Sequence, residues 1–341
     1  MVGFLSSVSR LRDDSACAHD DDNDAYLPLQ RRPVPFARRK LAIDVPPERN
    51  RNPYLNMYDT AAPIPNDISY YECIRTRTVP SFHICCYEAN RDKFISGSLL
   101  SSGVWEPYIT RIFQKALLKY PNAWVIDIGA NIGYYSLLGA AMGHNIIAVE
   151  PVYEHVVRMH SGIKLNGFQQ QVSVVFNALS DRHENVTMTR NEDNQGGVWM
   201  KPLTSATSLP KLRSEGQHSI VETTTLVHLL STAQFSQAVI KIDIEGFECK
   251  ALSKSKRLLQ AVYVPYIFME WRRMFVLQRQ KHAPCNTADI RRLTRLLTSR
   301  GYVPHEVGTG FLLDPTRSTT SWKVGDVYWR HRTAAPLQDP Y

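Results

Sequence analysis

Two short segments carry the residues whose types and spacing could do chemistry. The first, Val125–Gly133 (VIDIGANIG), reads as a buried strand that stops at Asp127 and breaks into a tight turn with the spacing Asp-x-Gly-x-Asn-x-Gly. Gly129 and Gly133 can take left-handed backbone and let a ligand touch the chain, with Asn131 between them. The turn opens into an apolar helix, Tyr134–Met142, whose first N–H groups have no partner inside the helix. A second apolar run, Asn145–Val149, ends in Glu150, a carboxylate placed to accept both hydroxyls of a ribose. This is the layout of a nucleotide-cofactor site. A pyrophosphate-binding loop would need glycines at its first, third and sixth positions; counted from Gly129 these hold Gly129, Asn131 and Tyr134. That departure, with Asp127 leading the turn, favours S-adenosylmethionine, which has no pyrophosphate to cradle, over a nicotinamide dinucleotide.

The second segment is Ile240–Glu245 (IKIDIE). Read as a strand, it puts Ile240, Ile242 and Ile244 on one face and Lys241, Asp243 and Glu245 on the other. In a sheet covered by helices on both sides such charges need a reason, because an unpaired buried charge costs several kcal/mol. One reading is a Lys241–Asp243 ion pair under a helix. The other sets Asp243 and Glu245 at the strand's mouth, facing substrate, with Gly246 allowing the turn that aims them. Methyl transfer from a sulfonium is an in-line displacement with a good leaving group, so the protein supplies alignment and, for a hydroxyl acceptor, a base. Lys241, Asp243 and Glu245 are taken as the catalytic group, with Asp243 assigned to positioning and Glu245 to proton work. Glu270 ends the next strand at the same edge and is assigned to the acceptor side, against a salt bridge to Arg272 or Arg273. Asn177 sits where an amide could bind an adenine edge, against turn capping, and Trp105-Glu106 could close over the donor, against a helix-start glutamate. His144 and His155 lack the company of a hydrolase triad and receive no role.

These residues must be held by a sheet. From Trp124 strand-like and helix-like runs alternate, with Gly143 and Gly167 at helix stops, and the alternation resumes at Ala238 after a polar hairpin and a Ser/Thr-rich loop. The pattern predicts an α/β fold: a doubly wound, mostly parallel seven-stranded sheet with ligands at the strands' carboxyl ends. A long amphipathic stretch, Val104–Lys119, leads into it. Residues 1–65 mix an acidic run with RRPVPFARRK and are assigned to a disordered charged tail; 66–105 form an N-terminal cap, and 106–341 the catalytic domain.

The 341 residues are 43% apolar, enough for one substantial core, and carry a net charge of +8. The basic residues are scattered and no nucleic-acid motif accompanies them, so a nucleic-acid partner is not expected. No stretch approaches the roughly 18 apolar residues of a membrane span. The chain therefore reads as soluble and cytoplasmic by default, or as secretory if an anchor precedes this N-terminus. The six cysteines show no zinc-ligand spacing, and no metal site is expected. Reduced thiols are predicted, with a bridge from Cys73 to Cys85 or Cys86 across a hairpin as the alternative, and Asn185-Val186-Thr187 is a glycosylation sequon.

In order and spacing, WEPYITRIFQ, VIDIGANIGYYSLLGA, AVEP, NALSD and IKIDIEGFE resemble the FkbM-type methyltransferases, a branch of the class I S-adenosylmethionine-dependent fold, over about Gly103 to Trp329. The resemblance implies methylation of a hydroxyl on a small-molecule or saccharide-like acceptor. It also implies Asp127, Gly129, Asn131, Gly133 and Glu150 on the donor, with Asp243 and Glu245 close to it. The chain departs from the family where Leu-Asp-Asp is usual, reading Leu226-Val227-His228. That departure and the charged tail motivate the competing reading of a donor-binding scaffold with little catalysis.

Overall fold

A computed structural model describes residues 52–66, 72–191, 194–202 and 219–337. A two-residue strand β1 (Met57–Tyr58) precedes a hairpin, β2 (Glu72–Arg75) and β3 (His83–Cys86), and two helices, α1 (Ile95–Ser102) and α2 (Pro107–Lys119). Alternation then begins with β4 (Trp124–Ile128), α3 (Tyr134–Ala141), β5 (Ile146–Val149), α4 (Tyr153–Asn166) and β6 (Val172–Val175). An inserted sheet is built from β7 (Ala178–Leu179), β8 (Asn185–Asn191), β9 (Asn194–Pro202) and β10 (Ser219–Thr224). The main sheet resumes with β11 (Ala238–Ile242), α5 (Glu248–Ser253), α6 (Leu258–Ala261), β12 (Tyr266–Glu270), α7 (Arg272–Leu277), α8 (Thr287–Ser299), β13 (Tyr302–Glu306) and β14 (Asp326–His331).

Strand order in the main sheet is β1-β6-β5-β4-β11-β12-β14-β13. The five central strands run parallel, β14 is antiparallel to both its neighbours, and β1 pairs antiparallel with β6. Winding reverses between β4 and β11, which are hydrogen-bonded neighbours, so a cleft must open beyond their carboxyl ends. Their residues divide by period two between two cores. Val125 and Val239 pack on the α2–α3 side; Ile126, Ile128, Ile240 and Ile242 pack on the side of α5 and α8. Burial on both faces explains why these strands read as continuous apolar runs.

Three expectations change. The sheet has eight strands rather than seven, because Met57 and Tyr58 pair with Val175 and Val174. That strand lies within the segment assigned to the tail; it needs backbone hydrogen bonds rather than apolar composition, and its neighbour Asn56 donates its N–H to the Asn177 side chain at 2.8 Å. Residues 1–51 of the tail, like much of the Ser/Thr-rich loop, lie outside the described residues. Finally, the thiols are not all reduced. Cys73 and Cys85, directly opposite in the β2–β3 register, form a disulfide, and Cys249 at α5 is joined to Cys285 before α8. The first was open to sequence reading; the second links segments that only the fold brings together. No helix among the described residues is long and apolar enough to cross a membrane.

Candidate active site

A cavity of about 740 Å³ occupies the cleft beyond β4 and β11. Of the residues given a donor, acceptor or catalytic role from the sequence, all but Gly133 line it: Asp127, Gly129, Asn131, Glu150, Asn177, Glu106, Lys241, Asp243, Glu245 and Glu270.

On the side of β4 and β5 the side chains chiefly brace one another. Asp127 is 2% exposed and accepts the Ser136 hydroxyl at 2.6 Å, tying the strand end to the first turn of α3; burial pushes its carboxyl up to about 6. The glycines also serve the packing of the protein on itself. A Cβ on Gly129 would lie 1.8 Å from the Asp243 carbonyl oxygen, and one on Gly133 would lie 2.6 Å from the Met159 side chain. Both also have positive φ, +78° and +91°. They let protein approach protein, and Gly129 is what brings the β4 and β11 loops into contact. Asn131, at φ 53°, donates its N–H to Glu150 Oε2 at 2.7 Å. Glu150 Oε1 accepts the Val152 N–H at 2.9 Å and stands 3.0 Å from His155 Nδ1. Three of the roughly four acceptor positions of a carboxylate are thus engaged, which leaves room for one further donor rather than two. Asn177, which lines the cavity and is assigned to an adenine edge, also accepts from Asn56 and donates to the Glu222 carbonyl, bracing β1 and β10.

On the other side charge is concentrated. The strand ends at Ile242, so only Lys241 of the three charged residues sits in it; the predicted alternation through Glu245 stops when the chain turns. Lys241 is 2% exposed, its Nζ 3.1 Å from Asp243 Oδ2 and 5.1 Å from the Tyr135 ring centroid. Burial opposes its charge, but the Asp243, Glu106 and Asp326 carboxylates outweigh that and hold its pKa above the usual lysine value. The two readings of this pair therefore combine: it is an ion pair, and it lines the cavity. Tyr135 donates its hydroxyl to Glu106 Oε2 at 2.7 Å, and burial raises the Glu106 pKa. Glu245, at φ 56°, lies within 3.2 Å of Arg273 Nε, whose N–H is not aligned to form a hydrogen bond; burial and Asp243 push its carboxyl up to about 7. Glu270 makes no ion pair among the described residues, so the bridge to Arg272 or Arg273 does not form. Burial and then Asp243 push its carboxyl up to about 10.

Sequence reading missed four participants. Glu248 stands three residues after Glu245, inside a segment already singled out, and its spacing was the available signal. Asp326 opens β14 opposite Glu270 and is pushed up to about 7 by burial. Tyr135 and His155 lie on helices next to the turn and hold Glu106 and Glu150. Leu226-Val227-His228 does not line the cavity: Leu226 is in the core, and His228 stacks on Tyr54 and His183.

The family model described as the methyltransferase FkbM domain matches residues 127–304, more than half of the chain. No curated protein matches. Among solved structures, the chain is similar to an O-methyltransferase from Bacillus cereus in complex with SAH, at 13% identity and TM-score 0.38, over 69% of this chain and 86% of that one. It is also similar to the O-methyltransferase TomG from Streptomyces achromogenes, at 13% identity and TM-score 0.36, over 67% and 81%. The magnesium protoporphyrin IX methyltransferase from Synechocystis is similar at 10% identity and TM-score 0.33, over 66% and 78%. None of these likenesses bears on the acceptor of this chain.

Proposed function

This chain belongs to the FkbM methyltransferase family, and on that premise we propose that it transfers a methyl group from S-adenosylmethionine to a hydroxyl of a small-molecule or saccharide-like acceptor. One observation carries the placement of the chemistry. Among the described residues, three that are not glycine have positive φ, Glu106, Asn131 and Glu245, and all three line the same cavity. Left-handed backbone costs a residue with a side chain about 1–3 kcal/mol, and such costs gather where a site over-determines its geometry.

The donor supplies an electrophilic methyl carbon and a thioether leaving group. Asp127, Asn131 and Glu150 form the wall assigned to it, with Gly129 and Gly133 setting the turn. Asp243, anchored by Lys241, positions the acceptor, and Glu270 is assigned to the acceptor's other polar groups. Glu245 takes the hydroxyl proton as the oxygen–carbon bond forms and the carbon–sulfur bond breaks with its electron pair going to sulfur. General-base assistance of this kind contributes about 10²–10⁴-fold. Glu245→Gln is therefore expected to lower labelled-methyl transfer to fractionated cell extract about 100-fold or more while leaving donor affinity unchanged. Unchanged transfer would refute the assignment to Glu245. The scaffold reading keeps only the charged tail as its motive, because Leu226-Val227-His228 lies away from the cavity.

A further inference from the structure

Three carboxylates converge on the acidic wall of the cavity. One oxygen each from Asp243, Glu248 and Glu270 lies within 4.8 Å of the other two. Asp243 follows β11 and Glu270 ends β12, adjacent parallel strands, and Glu248 opens α5, so the sheet and the turn fix their spacing.

Their hydrogen bonding is incomplete in a particular way. Glu248 is fully buried; its Oε1 accepts the N–H groups of Ile244 at 2.9 Å and Gly246 at 3.4 Å, while its buried Oε2 has no hydrogen-bond partner. Glu270 Oε2 is likewise buried without a partner. A buried polar atom left unpaired costs about 1–3 kcal/mol, more when charged. Lys241 pairs with Asp243, and the nearby Arg273 stands against Glu245 instead. Two unpartnered buried oxygens remain, one on Glu248 and one on Glu270. All the donors are hard oxygens, with no thiolate or imidazole in the trio.

We propose that Asp243, Glu248 and Glu270 bind one divalent cation of the magnesium, manganese or calcium class. The expectation of no metal came from cysteine and histidine spacing, which does not report on carboxylates gathered by a sheet. Asp243 and Glu270 line the cavity and Glu248 backs it, so the ion's remaining positions face the space where an acceptor enters. A cation there selects acceptors that offer two chelating oxygens, such as neighbouring hydroxyls. That last statement rests on the methyl-transfer reading; binding of the ion does not.

The test is a titration of the EDTA-treated full chain with Mn²⁺ alone, following the spin-resonance signal of the free ion. The expected result is retention of one ion per chain, displaced by Mg²⁺ or Ca²⁺. Glu270→Gln and Glu248→Gln should each weaken retention at least about tenfold, since affinity follows ligand charge, and Asp326→Asn should leave it within about threefold. No retention by the wild-type chain at millimolar ion would overturn the proposal whether or not the variants fold. Equal losses in Glu270→Gln and Asp326→Asn would also overturn it, because they would mean diffuse attraction to an acidic wall. No methyl donor is present in the titration, so its failure would leave methyl transfer standing, and a missing donor site would leave the cation standing.

Discussion

Glu245 holds a backbone conformation that a side chain disfavours, with a carboxylate that burial keeps from ionising easily. Nothing about folding asks for this: glycine would serve the turn better, and Gly246 follows at φ 96°. Glu245→Gly is accordingly expected to stabilise the protein by about 1 kcal/mol in denaturant unfolding while lowering methyl transfer, a trade that marks a side chain kept for function. A loss of stability of that size would mean that contacts such as the one with Arg273 outweigh the backbone cost. Gly129 is the opposite case, since its missing side chain makes room for the Asp243 carbonyl. The sequence made both residues visible, but for incomplete reasons: a glycine in a turn does not say whether ligand or protein will fill the space beside it, and left-handed backbone at a glutamate has no compositional signal.

At the scale of elements, β4, its turn and α3 were legible because a strand buried on both faces must be continuously apolar and must stop where glycines turn it. The register of β11 was legible as far as Ile242 and no further, since only the structure shows where pairing ends. Glu248 and Asp326 were illegible as partners of Asp243 and Glu270 because the pairing of β12 with both β11 and β14 joins distant parts of the chain. The starts of β4 and β5 are joined by His144, 4% exposed, whose Nδ1 is 2.7 Å from the Ala123 carbonyl oxygen. Burial lowers its pKa from 6.5, so the folded state favours the neutral ring and the unfolded chain binds the proton more readily. Its contribution is complete above 6.5 and is lost as pH falls from there through the lower folded value. Comparing wild type with His144→Gln across that range should show the wild type's relative stability falling in acid; a difference independent of pH would contradict the lowered pKa.

For the whole molecule, the cavity and the two cores depend on one another. The disulfide Cys249–Cys285 ties the helix carrying Glu248 to the segment leading into α8, closing a loop of 36 residues. Cross-linking a loop of that length is worth about 3–4 kcal/mol by chain entropy. Cys249→Ser should therefore lower unfolding free energy by about 2–4 kcal/mol, and a change below about 0.5 kcal/mol would show that the bridge contributes nothing to folding. The most direct test of the account as a whole is a calorimetric titration of the purified chain with S-adenosylmethionine, with NAD⁺ titrated in parallel. The account predicts saturable binding of one S-adenosylmethionine per chain and none of NAD⁺. Absence of S-adenosylmethionine binding at millimolar donor, or saturable binding of NAD⁺ in its place, would contradict it.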